Sequence, residues 1–131
     1  MENISTMFKT VAGGIGFFVS YMVDGLGLAF TVLIGMMLLD FVTGFIASHL
    51  NGEASSATGM KGLLKKVYVL LLIGAVYLLQ SVVEIAEFAG DGITVAFILV
   101  EFLSIVENAG RSGVPMPEKL KDGIAVLRGN K

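Results

Sequence analysis

Residues 26–48 form 23 consecutive positions with one charged side chain, Asp40. Nothing else in the chain restricts its fold as strongly. The hydrocarbon core of a bilayer is about 30 Å thick, and a helix rising 1.5 Å per residue crosses it with about 20 apolar residues. Residues 67–83 are uncharged, and reach spanning length if the Lys66 stem and Glu84 extend towards the interfaces. Residues 92–109 are apolar apart from Glu101, Glu107 and a few small polar side chains. A shorter apolar stretch, residues 11–23, opens with Gly13, Gly14 and Gly16. It lacks the small-x-small site of a cleaved signal peptide, so it reads as an uncleaved first span or a glycine-rich interfacial helix.

The expected fold is an all-α integral membrane protein with three to four transmembrane helices, four favoured, plus a short C-terminal amphipathic cytoplasmic helix. Residues 1–131 make a single membrane domain, with spans at 8–23, 26–48, 67–84 and 92–109 and a cytoplasmic tail at 110–131. Charge supports four spans. Lys9 precedes the first stretch, Lys61, Lys65 and Lys66 follow the second, and Arg111, Lys119, Lys121, Arg128 and Lys131 follow the last. The two other connections carry only acids: Asp24, Glu84, Glu87 and Asp91. The positive-inside rule then puts the middle loop, the tail and the N-terminus in the cytoplasm.

Composition removes most enzymatic readings. Charged residues are 15% of the chain, against roughly 25% in soluble domains, and mean hydropathy is +0.85. With no cysteine and one histidine, thiolate chemistry and clustered zinc or iron–sulfur ligation are excluded. A net charge of −2 offers no footprint for nucleic acid. No motif asks for a cofactor, a metal or a catalytic residue. Gly13, Gly14 and Gly16 resemble half of a nucleotide fingerprint, but no strand or acidic partner accompanies them. His49, at a span end beside Asn51 and Gly52, reads as an interfacial residue.

The informative positions are polar groups within the spans, because a lipid-facing carboxylate or ammonium costs about 2.5–3.5 kcal/mol even on mild scales. At 100° per residue, Met36, Asp40, Thr43 and Ala47 share one face of the second span. Gly27, Thr31 and Gly35 form a separate small-residue stripe, a helix-packing candidate. The third stretch groups Gly74, Tyr77, Gln80, Ser81 and Glu84; the last groups Thr94, Phe97, Glu101, Ser104 and Asn108. Asp40, Thr43, Gly44, Gln80, Glu101, Ser104 and Asn108 are therefore the candidates for oligomerisation or a pore lining. The plainer alternative is that the stripes bond to one another inside a small bundle. No Lys or Arg is expected deep in a span, which leaves Asp40 and Glu101 neutral in a dry bundle and ionised in a hydrated lumen. In the tail, Pro117 suits the first position of a short helix. Leu120, Ile124 and Leu127 on one side would let that helix lie on an anionic leaflet, with a loosely ordered tail as the alternative.

Certain runs carry a resemblance. Leu38-Leu39-Asp40-Phe41-Val42-Thr43-Gly44 and then Lys61-Gly62-Leu63-Leu64-Lys65-Lys66 resemble the toxin-secretion and phage-lysis holin family. So do Glu101-Phe102-Leu103-Ser104-Ile105-Val106-Glu107-Asn108-Ala109-Gly110 and Gly113-Val114-Pro115-Met116-Pro117-Glu118-Lys119-Leu120. The likeness covers about residues 26 to 128 in order. It implies a phage-encoded, non-enzymatic protein of the bacterial inner membrane that oligomerises and opens lesions, releasing a muralytic endolysin or a toxin. The implied partners are further copies of the chain, the lipid bilayer and, without direct contact, an endolysin; an antiholin is a further one. Glu107, Pro115 and Pro117 join the candidates as motif positions. Two other classes stay open: an antiholin or membrane scaffold, and a small multidrug or ion transporter using Asp40 or Glu101.

Overall fold

The computed structural model describes residues 2–84 and 89–129, apart from the Leu26 side chain. Glu87 and Lys131, counted in the charge distribution above, lie outside the described residues. The chain is helical: α1 Glu2–Leu26, α2 Leu28–Leu50, α3 Ser56–Val82, α4 Ala89–Arg111 and α5 Glu118–Leu127. The first four are long and apolar enough to cross a membrane. At 1.5 Å per residue, α2 and α4 are about 35 Å long and α3 about 40 Å.

Local chemistry sets the breaks. Gly27 separates α1 from α2 with φ +87°, a conformation that costs a side-chain-bearing residue about 1–2 kcal/mol. Asn51 ends α2, its Nδ2 donating to the Ala47 carbonyl at 2.7 Å, and Gly52 turns the chain with φ +67°. Ser55 then caps α3, its Oγ accepting from the Thr58 amide. Gly113, at φ +80°, ends α4, and the Val114 amide bonds back to the Ala109 carbonyl. The helices overrun the apolar stretches, most of all α3, which begins eleven residues before position 67. Apolar patterning marks what lipid can solvate; backbone hydrogen bonding continues through Lys61, Lys65 and Lys66 because lysine, leucine and methionine are good helix formers. Pro117 caps α5 instead of occupying its first turn, and its carbonyl accepts from the Leu120 and Lys121 amides.

Pairings along the helices show α2 parallel to α4, with α3 antiparallel to both. Asn108 of α4 meets Asp40 and Thr43 of α2, whereas Tyr77 and Gln80 of α3 meet Asp91 and Gly90 at the start of α4. The main packing is α2 on α4. Its seam places Leu33, Met37, Asp40 and Ala47 against Thr94, Glu101 and Asn108, all buried, at steps close to the 3.5-residue coiled-coil repeat. α3 packs mainly on α4 and little on α2, and α1 packs on α2. Among the described residues, Leu33, Met37 and Ile73 form the buried apolar centre, flanked by Phe30, Leu70, Tyr77 and Phe97. Residues 2–21 of α1 are exposed throughout. In lipid that exposure carries no hydrophobic penalty, so a small core suffices.

Candidate functional site

Three helices meet at one ammonium group. Lys66 Nζ of α3 donates to Asp40 Oδ2 of α2 and to Glu101 Oε2 of α4, each at 2.6 Å. The three side chains are 18%, 11% and 10% exposed. The expectation that Asp40 and Glu101 lack a deep cationic partner is therefore corrected. Lys66 lies ten residues inside α3, and the antiparallel arrangement brings it level with Asp40. A signal for this was present in the sequence. Lys66 lies seven residues before Ile73 and fourteen before Gln80, so it continues α3's inward stripe instead of belonging to a loop.

Asn108 completes the cluster. Its Nδ2 donates to Asp40 Oδ1 at 2.9 Å, to the Asp40 carbonyl at 3.2 Å and to Thr43 Oγ1 at 3.0 Å. Thr43 Oγ1 in turn donates to the Asp40 carbonyl at 3.2 Å. Gly44 packs against the amide; a Cβ there would stand 3.4 Å from Asn108 Nδ2, an ordinary van der Waals contact. Among the described residues, no buried side-chain nitrogen or oxygen lacks a partner. With every group ionised the trio carries −1, two carboxylates against one ammonium. Charge-assisted hydrogen bonds of this kind are about twice as strong as neutral ones and offset part of the desolvation cost.

A cleft of about 730 Å³ opens beside the trio, between α2, the 51–55 turn, the start of α3 and the end of α4. Asp40, Lys66, Ser104 and Asn108 line its inner part. The exposed ion pair of Glu53 with Arg111, at 3.0 Å, stands at its outer part. Asn51 Nδ2 also donates to the Arg111 carbonyl at 2.9 Å, joining the ends of α2 and α4.

The structure thus gathers Asp40, Thr43, Gly44, Glu101, Ser104 and Asn108, and adds Lys66. Gln80 stands apart at the opposite end of the bundle, where its Oε1 accepts from the Gly90 amide at 2.7 Å. Beside it the Tyr77 hydroxyl donates to Asp91, and Gly90 lies so close that a Cβ would be 2.5 Å from the Tyr77 ring. Gly27 caps α2, and Thr31 and Gly35 lie on its first half; Cβ atoms at Gly27 and Gly35 would meet nothing within 4 Å, and Thr31 Oγ1 donates to the Gly27 carbonyl. Glu107 pairs with Arg128, which caps the end of α5, while Pro115 and Pro117 shape the α4–α5 turn. His49 is exposed and stacks on Phe45, with ring centroids 6.1 Å apart.

Comparison with known proteins adds a family. The model of the bacteriophage holin family matches residues 17–129. An uncharacterised protein of Halalkalibacterium halodurans is 26% identical over 98% of both chains. An uncharacterised Listeria monocytogenes protein is 30% identical over 87% of this chain and 81% of its own. An uncharacterised 14.9 kDa Clostridium perfringens protein, from the region 3′ of nagH, is 28% identical over the whole of both chains. No solved structure matches.

Proposed function

Since this chain belongs to the bacteriophage holin family, we propose that it oligomerises in the bacterial inner membrane and opens lesions that release an endolysin, or a toxin, to the cell wall. The proposed topology is multi-pass, with four spans and both termini in the cytoplasm, as the distribution of Lys and Arg favours. The observation that carries the reading is the Asp40–Lys66–Glu101 cluster in a bundle of apolar helices with almost no apolar centre.

Such charges have two low-energy situations in a membrane. They pair with one another inside the bundle, or they face water; facing lipid costs several kcal/mol. A single copy supplies the first. A ring of copies supplies the second, with the α2, α3 and α4 polar stripes turned towards a hydrated lumen and the apolar outer surfaces towards lipid. A small apolar centre makes the exchange cheap, because few packed side chains need to separate. The candidate roles follow from this: Asp40, Glu101, Ser104 and Asn108 as lining positions, and Gly27, Thr31 and Gly35 as helix contacts between copies.

Inducible expression in a bacterium with and without a cytoplasmic endolysin tests the reading, followed by turbidity and viability. Abrupt killing after a fixed delay, with lysis only when endolysin is present, is the expected result. Asp40→Leu and Glu101→Leu should shift or abolish lysis while membrane insertion persists. The cleft that reaches the cluster favours a transporter as the second reading. Absence of killing under verified membrane expression would replace the lesion reading with a transporter, an antiholin or a scaffold.

A further inference from the structure

We propose that α5 is an interfacial helix that binds an anionic lipid surface through the apolar side it leaves uncovered. At 100° per residue, Leu120, Ile124 and Leu127 fall within an arc of about 60°. Lys119 borders that arc on one side, with Lys121 and Arg128 on the other; Glu118 and Asp122 occupy the opposite face. Cations beside the apolar arc and acids away from it match a negatively charged leaflet, where lysine stems lie along the apolar boundary and their ammonium groups reach the headgroups.

The tertiary structure positions this face. Gly113 ends α4 and the following turn reverses the chain, so that Arg128 pairs with Glu107, one turn before the end of α4. In the membrane placement proposed above, this pair holds the end of α5 near the level where α4 leaves the apolar region. Ile124 is 8% exposed and seats the helix on its own chain, while Leu120 and Leu127 remain 38% and 52% exposed. Lys119 and Lys121 have no ion-pair partner among the described residues, in contrast to Arg111 and Arg128. The apolar arc is thus covered by protein at its Ile124 end and open at Leu120 and Leu127; Lys119, beside the open end, and Lys121, beyond Arg128, lack counter-charges. An anionic leaflet supplies both the missing apolar cover and the missing charge.

The inference rests on the membrane placement proposed above but not on lesion formation. The chain contains no cysteine, so single cysteines can be introduced for spin labelling. The full chain is reconstituted into phosphatidylcholine vesicles, with and without about 30% phosphatidylglycerol, chosen to supply a negative surface. Collisions with a water-soluble nickel chelate, present on both sides, are then measured. Leu120→Cys and Leu127→Cys should be about five-fold less accessible than Asp122→Cys in the anionic vesicles, and should lose most of that protection in phosphatidylcholine alone. Neutralising Lys119→Gln or Lys121→Gln should lower the docked-to-free ratio about five-fold each, the equivalent of about 1 kcal/mol per basic residue at a membrane surface. Leu38→Cys, on the exposed side of α2, reports the membrane placement itself. If Leu38→Cys is lipid-immersed while positions 120 and 127 match 122, or are protected equally in both lipids, α5 does not bind as proposed. If Leu38→Cys is aqueous, the membrane placement fails and α5's role fails with it.

Discussion

Lys66→Met removes the ammonium shared by Asp40 and Glu101 and leaves two carboxylates facing each other with nothing between. The interaction lost consists of two charge-assisted hydrogen bonds at 2.6 Å, each contributing about 1.5–3 kcal/mol. Breaking a buried pair by removing one partner costs about 3–5 kcal/mol. The Lys66 side chain is 18% exposed and borders the cleft, so water offsets part of that cost. The expected destabilisation is therefore at the lower end, about 3 kcal/mol. The tie of α3 to both helices is lost, and because Asp40 lies on α2 and Glu101 on α4, the repulsion left between them also loosens the α2–α4 seam. Reversible unfolding of the full chain in mixed micelles, followed by circular dichroism, measures the change. Asp40→Asn with Glu101→Gln added to Lys66→Met should recover at least half of it, since no unpaired charge then remains. A Lys66→Met chain within about 0.5 kcal/mol of the parent, the range of ordinary surface substitutions, would refute the cluster as a tie between helices. In cells, the same substitution should bring lysis forward if the paired interior is the stored state.

Three further expectations concern other parts of the bundle. Gly90→Ala places a Cβ 2.5–2.8 Å from the Tyr77 ring, so the ring must move and weaken its bond to Asp91; a loss of about 1–3 kcal/mol is expected in the same unfolding assay. Gly92→Ala, whose Cβ meets nothing within 4 Å, should be neutral or slightly stabilising and serves as its control. Asn108→Ala removes the side-chain amide that bonds Asp40 and Thr43, and should cost about 1.5–3 kcal/mol, as a carboxylate hydrogen bond does; an unchanged unfolding midpoint would count against its place in the cluster. Gly35→Leu should leave the unfolding of a single copy unchanged, because its Cβ faces open space, yet reduce cross-linked oligomers in membranes if the small stripe joins copies.

Much of the architecture was legible in the residues. Apolar stretches of spanning length dictate helices, because lipid leaves no other way to satisfy backbone N–H and C=O groups over that distance. Gly27, Ser55 and Gly113 set helix ends by local backbone and capping chemistry, but apolar patterning passes over them: it places Gly27 inside the second span and starts the third at 67. The stripes of α2 and α4 were also readable, since Asp40 and Thr43, or Glu101 and Asn108, share a face at helical spacing. These are local properties, and they follow from hydropathy, periodicity and turn chemistry alone.

Other features required the packed bundle. Lys66 looks like a span end in the linear pattern because apolar runs record solvation by lipid, and a helix does not stop where that solvation stops. Its two partners lie 26 and 35 residues away in the chain, and only the antiparallel placement of α3 puts one ammonium between two carboxylates. The separation of Gln80 from the other polar candidates, and the contact of Gly90 with Tyr77, likewise depend on how far α3 is shifted along α4. Periodicity assigns each side chain to a face of its own helix. Register between helices depends instead on which faces bury together best, and that balance is struck only among helices in contact.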